Sequence, residues 1–207
     1  VEEAGDARLR EWAVPERVRI GLAPGPDWAQ ADADVFACWE HAQRALAPQA
    51  ARCEDAALPP DFADVAAVQA AIQAAETAQA LAFEHRTHRA SLSDALLALL
   101  DKGRAMDAET LAAHRARADR WRREVDALFD RHDVLLTPST SGEAPAGLQF
   151  TGDPLFCRAW SLLGLPCVHL PFASGSNGLP LGLQLVGRHG DDHRLIAAAQ
   201  WCMDRLA

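Results

Sequence analysis

The sequence predicts an α/β fold, a partial mixed sheet flanked by helices. Short apolar runs of strand length at 18–22, 133–138, 167–172 and 181–186 alternate with longer stretches whose apolar residues recur at helical spacing. Strands separated by helices imply crossover connections and helix-on-sheet layers. Only four or five strands are present, and their apolar residues fall on both sides, so they read as part of a sheet that needs neighbours.

Residues 1–17 are charged and Pro-punctuated and read as an arm or linker preceding a unit over 18–207. Val18–Leu22 is a short strand closed by Ala-Pro-Gly-Pro. Asp32 or Asp34 can cap a helix whose inner face is Val35, Cys38, Trp39, Ala42 and Leu46, stopped by Pro48. Arg52–Leu58 is a weaker strand, and Pro59-Pro60-Asp61 opens a helical segment at about 61–131. Within it, Phe62 to about His88 predicts one long helix. Ser91 or Ser93 caps a short one over Leu96–Leu100 that ends at Lys102-Gly103, and Asp107 opens a third carrying Ala118, Trp121 and Val125. Asp133–Pro138 returns to strand and runs into a Ser/Gly/Pro loop over 139–152. Asp153-Pro154 then begins a helix ending at Leu163-Gly164.

The stretch from Gly164 to Gly187 predicts two strands joined across Asn177-Gly178, a dipeptide that readily takes positive φ. Val168 and Leu170 share one side of the first strand, Cys167 and His169 the other. Leu181, Leu183 and Leu185 oppose Gly182, Gln184 and Val186 in the second. Both faces are largely apolar, which predicts a pair covered on both sides. Asp191 and Asp192 cap a last helix with Leu195, Ile196, Ala199, Met203 and Leu206 inward.

With 207 residues and 49% hydrophobic content, the chain is long enough for one large or two small cores. A formal charge of −9 argues against nucleic acid or an anionic membrane surface as partner, because both are held by basic side chains. No apolar stretch approaches the roughly 18 residues that cross a bilayer. Val1 to Glu16 lacks the apolar centre of a secretory leader. Five widely spaced cysteines, with no Cys-x-x-Cys, read as reduced, buried thiols of a cytoplasmic protein. The chain opens on Val, so a longer protein is expected.

On its own chemistry the sequence offers no assembled active site, and no catalytic residue is assigned. Ser139-Thr-Ser-Gly142 and Ser174-Gly-Ser-Asn-Gly178 are turn sequences and do not spell a nucleophile elbow. His189 and His193 stand four apart with acids between, but no third ligand is in reach and Asp191 and Asp192 are needed at a helix start, so no metal or other cofactor is expected. Lys102 reads as a helix-end cation. Mid-strand His169 reads as a hydrogen-bonded core residue, with the role of a base as the alternative. Phe156 and Trp160, at i and i+4, are core residues that could also wall a pocket beside the loop.

The second half resembles the amidase signature family. The residues that carry the resemblance are Asp133-Val-Leu-Leu-Thr-Pro138, Gly164-Leu-Pro166, and Gly178-Leu-Pro-Leu-Gly-Leu-Gln-Leu-Val-Gly187 followed by the acidic pair and closing helix. Arg19-Ile-Gly21 and the helix after it match in the same order. The resemblance implies the C-terminal half of that family's fold. It also implies a serine-dependent amidase that hydrolyses a small carboxamide through an acyl-enzyme, using a serine, a cis-serine and a lysine. Those residues belong to the family's N-terminal half; no Gly-Gly-Ser-Ser-Gly occurs here, so the chain alone is expected to be inactive. The implied partners are the N-terminal half of the same enzyme, the amide substrate and, at an open sheet edge, a second copy forming a homodimer. By the same analogy Thr137, Ser139, Phe156 and Trp160 bind substrate, with the helical segment 62–129 as a lid. The alternative is a non-catalytic α/β scaffold or binding module derived from the same fold.

Overall fold

The computed structural model describes residues 14–206, so most of the expected arm lies outside the described residues. In chain order the elements are β1 (Arg19–Leu22), α1 (Ala33–Leu46), β2 (Arg52–Asp55), α2 (Val65–Ala80), α3 (Ala82–Thr87), α4 (Asp94–Ala105) and α5 (Ala108–Asp126). There follow β3 (Val134–Pro138), α6 (Arg158–Leu163), β4 (Cys167–Ser174), β5 (Pro180–Val186) and α7 (Asp192–Leu206). The five strands form one mixed sheet in the order β2-β1-β3-β5-β4. β2, β1 and β3 run parallel, whereas β5 is antiparallel to both β3 and β4.

Strand alternation sends the two sets of side chains to two separate cores. Leu136, Leu170, Leu183 and Leu185 pack with Val35, Trp39 and Leu46 of α1 and with Trp201 and Leu206 of α7. Leu135 and Val186, on the opposite face, pack with Val68 of α2, Trp121 and Val125 of α5, and Trp160 and Leu163 of α6. The helices are therefore a layer on each side of the sheet. The Asp32 carboxylate accepts from Val35 N, Ser93 Oγ from Leu96 N, and the Asp107 carboxylate from Thr110 N, so each helix start falls where an oxygen-bearing side chain satisfies a free amide.

Several sequence expectations are corrected. The long helix over 62–88 is interrupted: a 3-10 turn at Phe62–Asp64 precedes α2, which ends at Ala80, and α3 has no buried residue to hold it in line. Gly103 does not stop a helix; it lies buried inside α4. A Cβ there would stand 2.0 Å from the Ala74 carbonyl oxygen, so the glycine is what lets α4 lie against α2. The helix expected from Asp153 starts as a 3-10 turn at Leu155–Cys157, and Gly164, at φ 68°, ends α6 as expected. Ile196 is 57% exposed, because α7 turns Ala198 and Cys202 inward instead. Of the five cysteines only Cys38 and Cys202 are buried; Cys53 and Cys157 are half-buried and Cys167 exposed, since the last three lie on or beside the edge strands.

The expected strand pair is present, joined by residues 175–179, but it is covered on both faces only along β5. β4 is the outer strand, and the helical layer of α2, α5 and α6 stops short of it. Cys167 and His169 on that face are accordingly exposed, and His169 is not a core residue. The pairing slips between Leu170 and Ala173 at Pro171, which has no amide to donate. Opposite, a Cβ on Gly182 would stand 1.8 Å from the Leu170 carbonyl oxygen, so only glycine fits this close approach. Among the described residues no helix is long and apolar enough to cross a membrane.

Candidate functional site

A cleft of about 790 Å³ opens beside β4, between the loop after β3 and the floor formed by Cys157, His169 and Gln184. The floor follows from strand register. Thr137 on β3 is paired with Gln184 on β5, and Gln184 with His169 on β4, so three side chains point to one face in a row across the sheet. Gln184 is 4% exposed, and its amide nitrogen donates to the Pro138 carbonyl at 2.8 Å and the Phe156 carbonyl at 3.1 Å. That single side chain ties the end of β3 to the turn that starts α6, and so fixes two sides of the cleft. Ser139 Oγ donates to the Gly182 carbonyl at 3.3 Å, and Cys157 Sγ to the Ser139 carbonyl at 3.4 Å.

The outer wall is fastened by carboxylates. Glu143 accepts from Asn177 N, from Asn177 Nδ2 at 2.6 Å and from Leu179 N at 2.9 Å. Asp34 accepts from Ser176 N at 2.7 Å and from the Ser176 hydroxyl, and these bonds hold its carboxyl below the usual range. Asp32 N donates to the Ser141 carbonyl at 2.8 Å. The loop and the hairpin tip are thus bound to each other and to the start of α1.

Burial pushes the Cys157 thiol up, and burial together with Cys157 nearby pushes Cys167 to about 11; both are thiols, not nucleophilic thiolates, at neutral pH. His169 is exposed as a residue, yet the protein around its ring disfavours the cation and lowers its pKa, so the imidazole is neutral at pH 7. No hydrogen bond ties that ring to another described residue. The Ser139 hydroxyl is engaged with a backbone carbonyl, not with a base, and is not activated for attack. Among the described residues no group of three His, Cys, Asp or Glu is placed to hold a metal ion. His189 instead shares its Nδ1 with the Gly164 carbonyl at 2.9 Å, and His193 lies 3.2 Å from Asp191.

The four residues expected at the substrate do not share one open cavity. Ser139 lines the cleft. Thr137, Phe156 and Trp160 line a separate crevice of only about 20 Å³, and all three are buried, at 1%, 7% and 3% exposure. No cleft-lining residue comes from 62–129, so the helical segment is a packed layer over the sheet and not a lid on the cleft. Sequence reasoning gave Gln184 and Glu143 no place in the site. The signal for Gln184 was a lone amide between Leu183 and Leu185; Glu143 gave none, because its partners lie 34–36 residues away.

The amidase family model matches residues 3–196. A mitochondrial glutamyl-tRNA(Gln) amidotransferase subunit from Mus musculus is 41% identical over 86 residues, 37% of this chain and 16% of that protein. The corresponding subunit from Zymomonas mobilis is 40% identical over 83 residues, 37% of this chain and 17% of that protein. A crystal structure of an amidase superposes with a TM-score of 0.82 at 23% identity, over 96% of this chain and 48% of that one. A 6-aminohexanoate cyclic dimer hydrolase does so with a TM-score of 0.70 at 17% identity, over 93% and 46%. At these identities the structural likeness is one of fold, and the chain spans about half the length of the structures it matches. A family match running from residue 3 to residue 196, with the mixed sheet and its two helical layers superposing on an amidase, shows that the chain belongs to the amidase signature family.

Proposed function

We propose that this chain is the C-terminal part of a serine-dependent amidase that hydrolyses a small carboxamide to an acid and ammonia or an amine. In this reading the serine, cis-serine and lysine are encoded ahead of Val1. The observation that carries it is the cleft itself: a floor of oriented polar side chains, open beside an outer strand, with no activated nucleophile among its lining residues. The two sheet edges differ in a way that supports it. β2 is short and carries Arg52, Glu54 and Asp55, charges that discourage further pairing, whereas β4 runs for eight residues without a charge. β4 is the edge suited to receive the rest of the enzyme, and the missing nucleophile would then arrive over the exposed Cys167 and His169.

The test is ammonia release from a small carboxamide by the 207-residue chain and by the product of the extended reading frame. The expected result is turnover by the longer protein only. Turnover by the short chain, or an upstream sequence without a lysine and paired serines, refutes the reading. The second reading, a non-catalytic module, is favoured by the presence of a buried core on each face of the sheet; it predicts that both proteins fold and neither releases ammonia.

A further inference from the structure

We propose that Asn177 is a site of slow self-modification whose reaction unfastens the outer wall of the cleft, and that Glu143 is the group that restrains it. Asn177 is the only asparagine of the 207 residues, it is followed by Gly178, and it stands exposed at the tip of the hairpin between β4 and β5. The chemistry needs only the chain and water. The Gly178 amide nitrogen, its proton lost to solvent, attacks Asn177 Cγ; the Cγ–Nδ2 bond breaks and the side-chain amide leaves as ammonia, closing a cyclic imide. Water then opens the imide at either carbonyl, giving aspartate, or isoaspartate in which the main chain runs through Cβ. Glycine favours ring closure because no Cβ crowds the attacking nitrogen and its backbone turns freely.

In the fold both reacting groups are engaged. Asn177 Nδ2 donates to Glu143 Oε2 at 2.6 Å, and Gly178 N donates to the Gly175 carbonyl at 2.9 Å. Ring closure therefore requires that the tip first let go of Glu143. That carboxylate also accepts from Asn177 N at 3.2 Å and Leu179 N at 2.9 Å, and it lies so close under the tip that a Cβ on Gly175 would run into it. The same contact turns against the product. Where an amide donated, aspartate presents a second negative charge to Glu143, with Asp34 already on the tip at Ser176. Isoaspartate also lengthens the main chain between Asn177 N and Leu179 N, the two amides that converge on Glu143. Ser176 N, which donates to Asp34 at 2.7 Å, precedes the altered residue. The tip thus stays tied to α1 while it comes away from the 139–152 loop, and since ammonia has left, the change accumulates with age.

The experiment incubates the 207-residue chain, its Glu143→Ala variant and a free peptide of residues 173–180 in warm, mildly alkaline buffer. Peptide mapping that separates asparaginyl, aspartyl and isoaspartyl forms gives the conversion rate at position 177. The peptide is expected to convert fastest, the parent slowly but completely, and Glu143→Ala at least about tenfold faster than the parent, the weight of a lost charge-assisted hydrogen bond. Amide exchange in β5 at the parent rate shows that the faster conversion belongs to the tip and not to unfolding. Aged, converted parent and a fresh Asn177→Asp variant are both expected to exchange Leu179 N faster, with Ser176 N unchanged. A parent that stays unconverted while the peptide reacts overturns the proposal. So does a Glu143→Ala variant that converts at the parent rate, or a fully converted protein whose Leu179 amide is as protected as before.

Discussion

Replacing Gln184 by leucine tests whether one amide holds the cleft together. Leucine has similar bulk and keeps the strand, but it cannot donate to the Pro138 and Phe156 carbonyls, which the Gln184 nitrogen reaches at 2.8 and 3.1 Å. A buried acceptor left without its donor costs about 1–3 kcal/mol, so two such carbonyls cost about 2–4 kcal/mol once the easier burial of leucine is taken into account. At about 2–4 °C per kcal/mol for a chain of this size, Tm should fall by about 4–16 °C. The assay is a thermal melt followed by circular dichroism, together with amide hydrogen exchange over residues 139–157. The loop should exchange faster in the variant, because both of its ends lose their tie to β5. Gln184→Glu should be worse than leucine at neutral pH, where a carboxylate would face two carbonyls, and should recover partly in acid, where the protonated group donates once. A leucine variant that melts within about 1 °C of the parent, with unchanged loop protection, would refute this account of the cleft floor.

Other perturbations follow from the same contacts. Gly103→Ala should lower Tm although alanine is the better helix former by about 1 kcal/mol, because its Cβ would stand 2.0 Å from the Ala74 carbonyl oxygen; a rise in Tm would show that α4 does not lie where it is placed. Glu143→Ala should speed amide exchange at Asn177 and Leu179 with little effect on the β5 core, and unchanged exchange at those two amides would deny the brace. Acid should destabilise the fold in two steps. Burial lowers the pKa of His132 below 6.5, so the unfolded chain takes up that proton first and stability falls as pH drops below about 6.5; His132→Gln should flatten this step in a pH series of melts. Asp61, held at about 2 by its bond from Trp121 Nε1 and by Arg117 and Arg120, contributes stability above about 3.8 that is lost as pH falls from there toward 2, and Asp61→Asn should remove that second step.

Much of the fold was legible because its signals are local. Helix starts at Asp32, Ser93 and Asp107, the stop at Gly164 and the alternation along β5 all depend on residues within a few positions of one another. What was not legible depends on neighbours distant in sequence. Gly103 reads as a helix stop until Ala74 is seen against it, and His169 reads as core until β4 proves to be the outer strand. The four residues expected at the substrate are divided between two places for the same reason. Ser139 lines the open cleft, but Phe156 and Trp160 advertise apolar bulk that the fold uses in its interior, with Trp160 packed against Phe62. Glu143 sits in a loop without periodicity, and only the hairpin tip explains it.

The central claim is that this chain builds a cleft wall and does not itself hold the reactive serine. Labelling with a fluorophosphonate probe, followed by mass-spectrometric mapping of the modified residue, tests it most directly. The account predicts no adduct on Ser139, Ser141 or any other serine of the 207-residue chain, and an adduct on an upstream serine in the longer protein. A stoichiometric adduct within residues 14–206 of the isolated chain would contradict it.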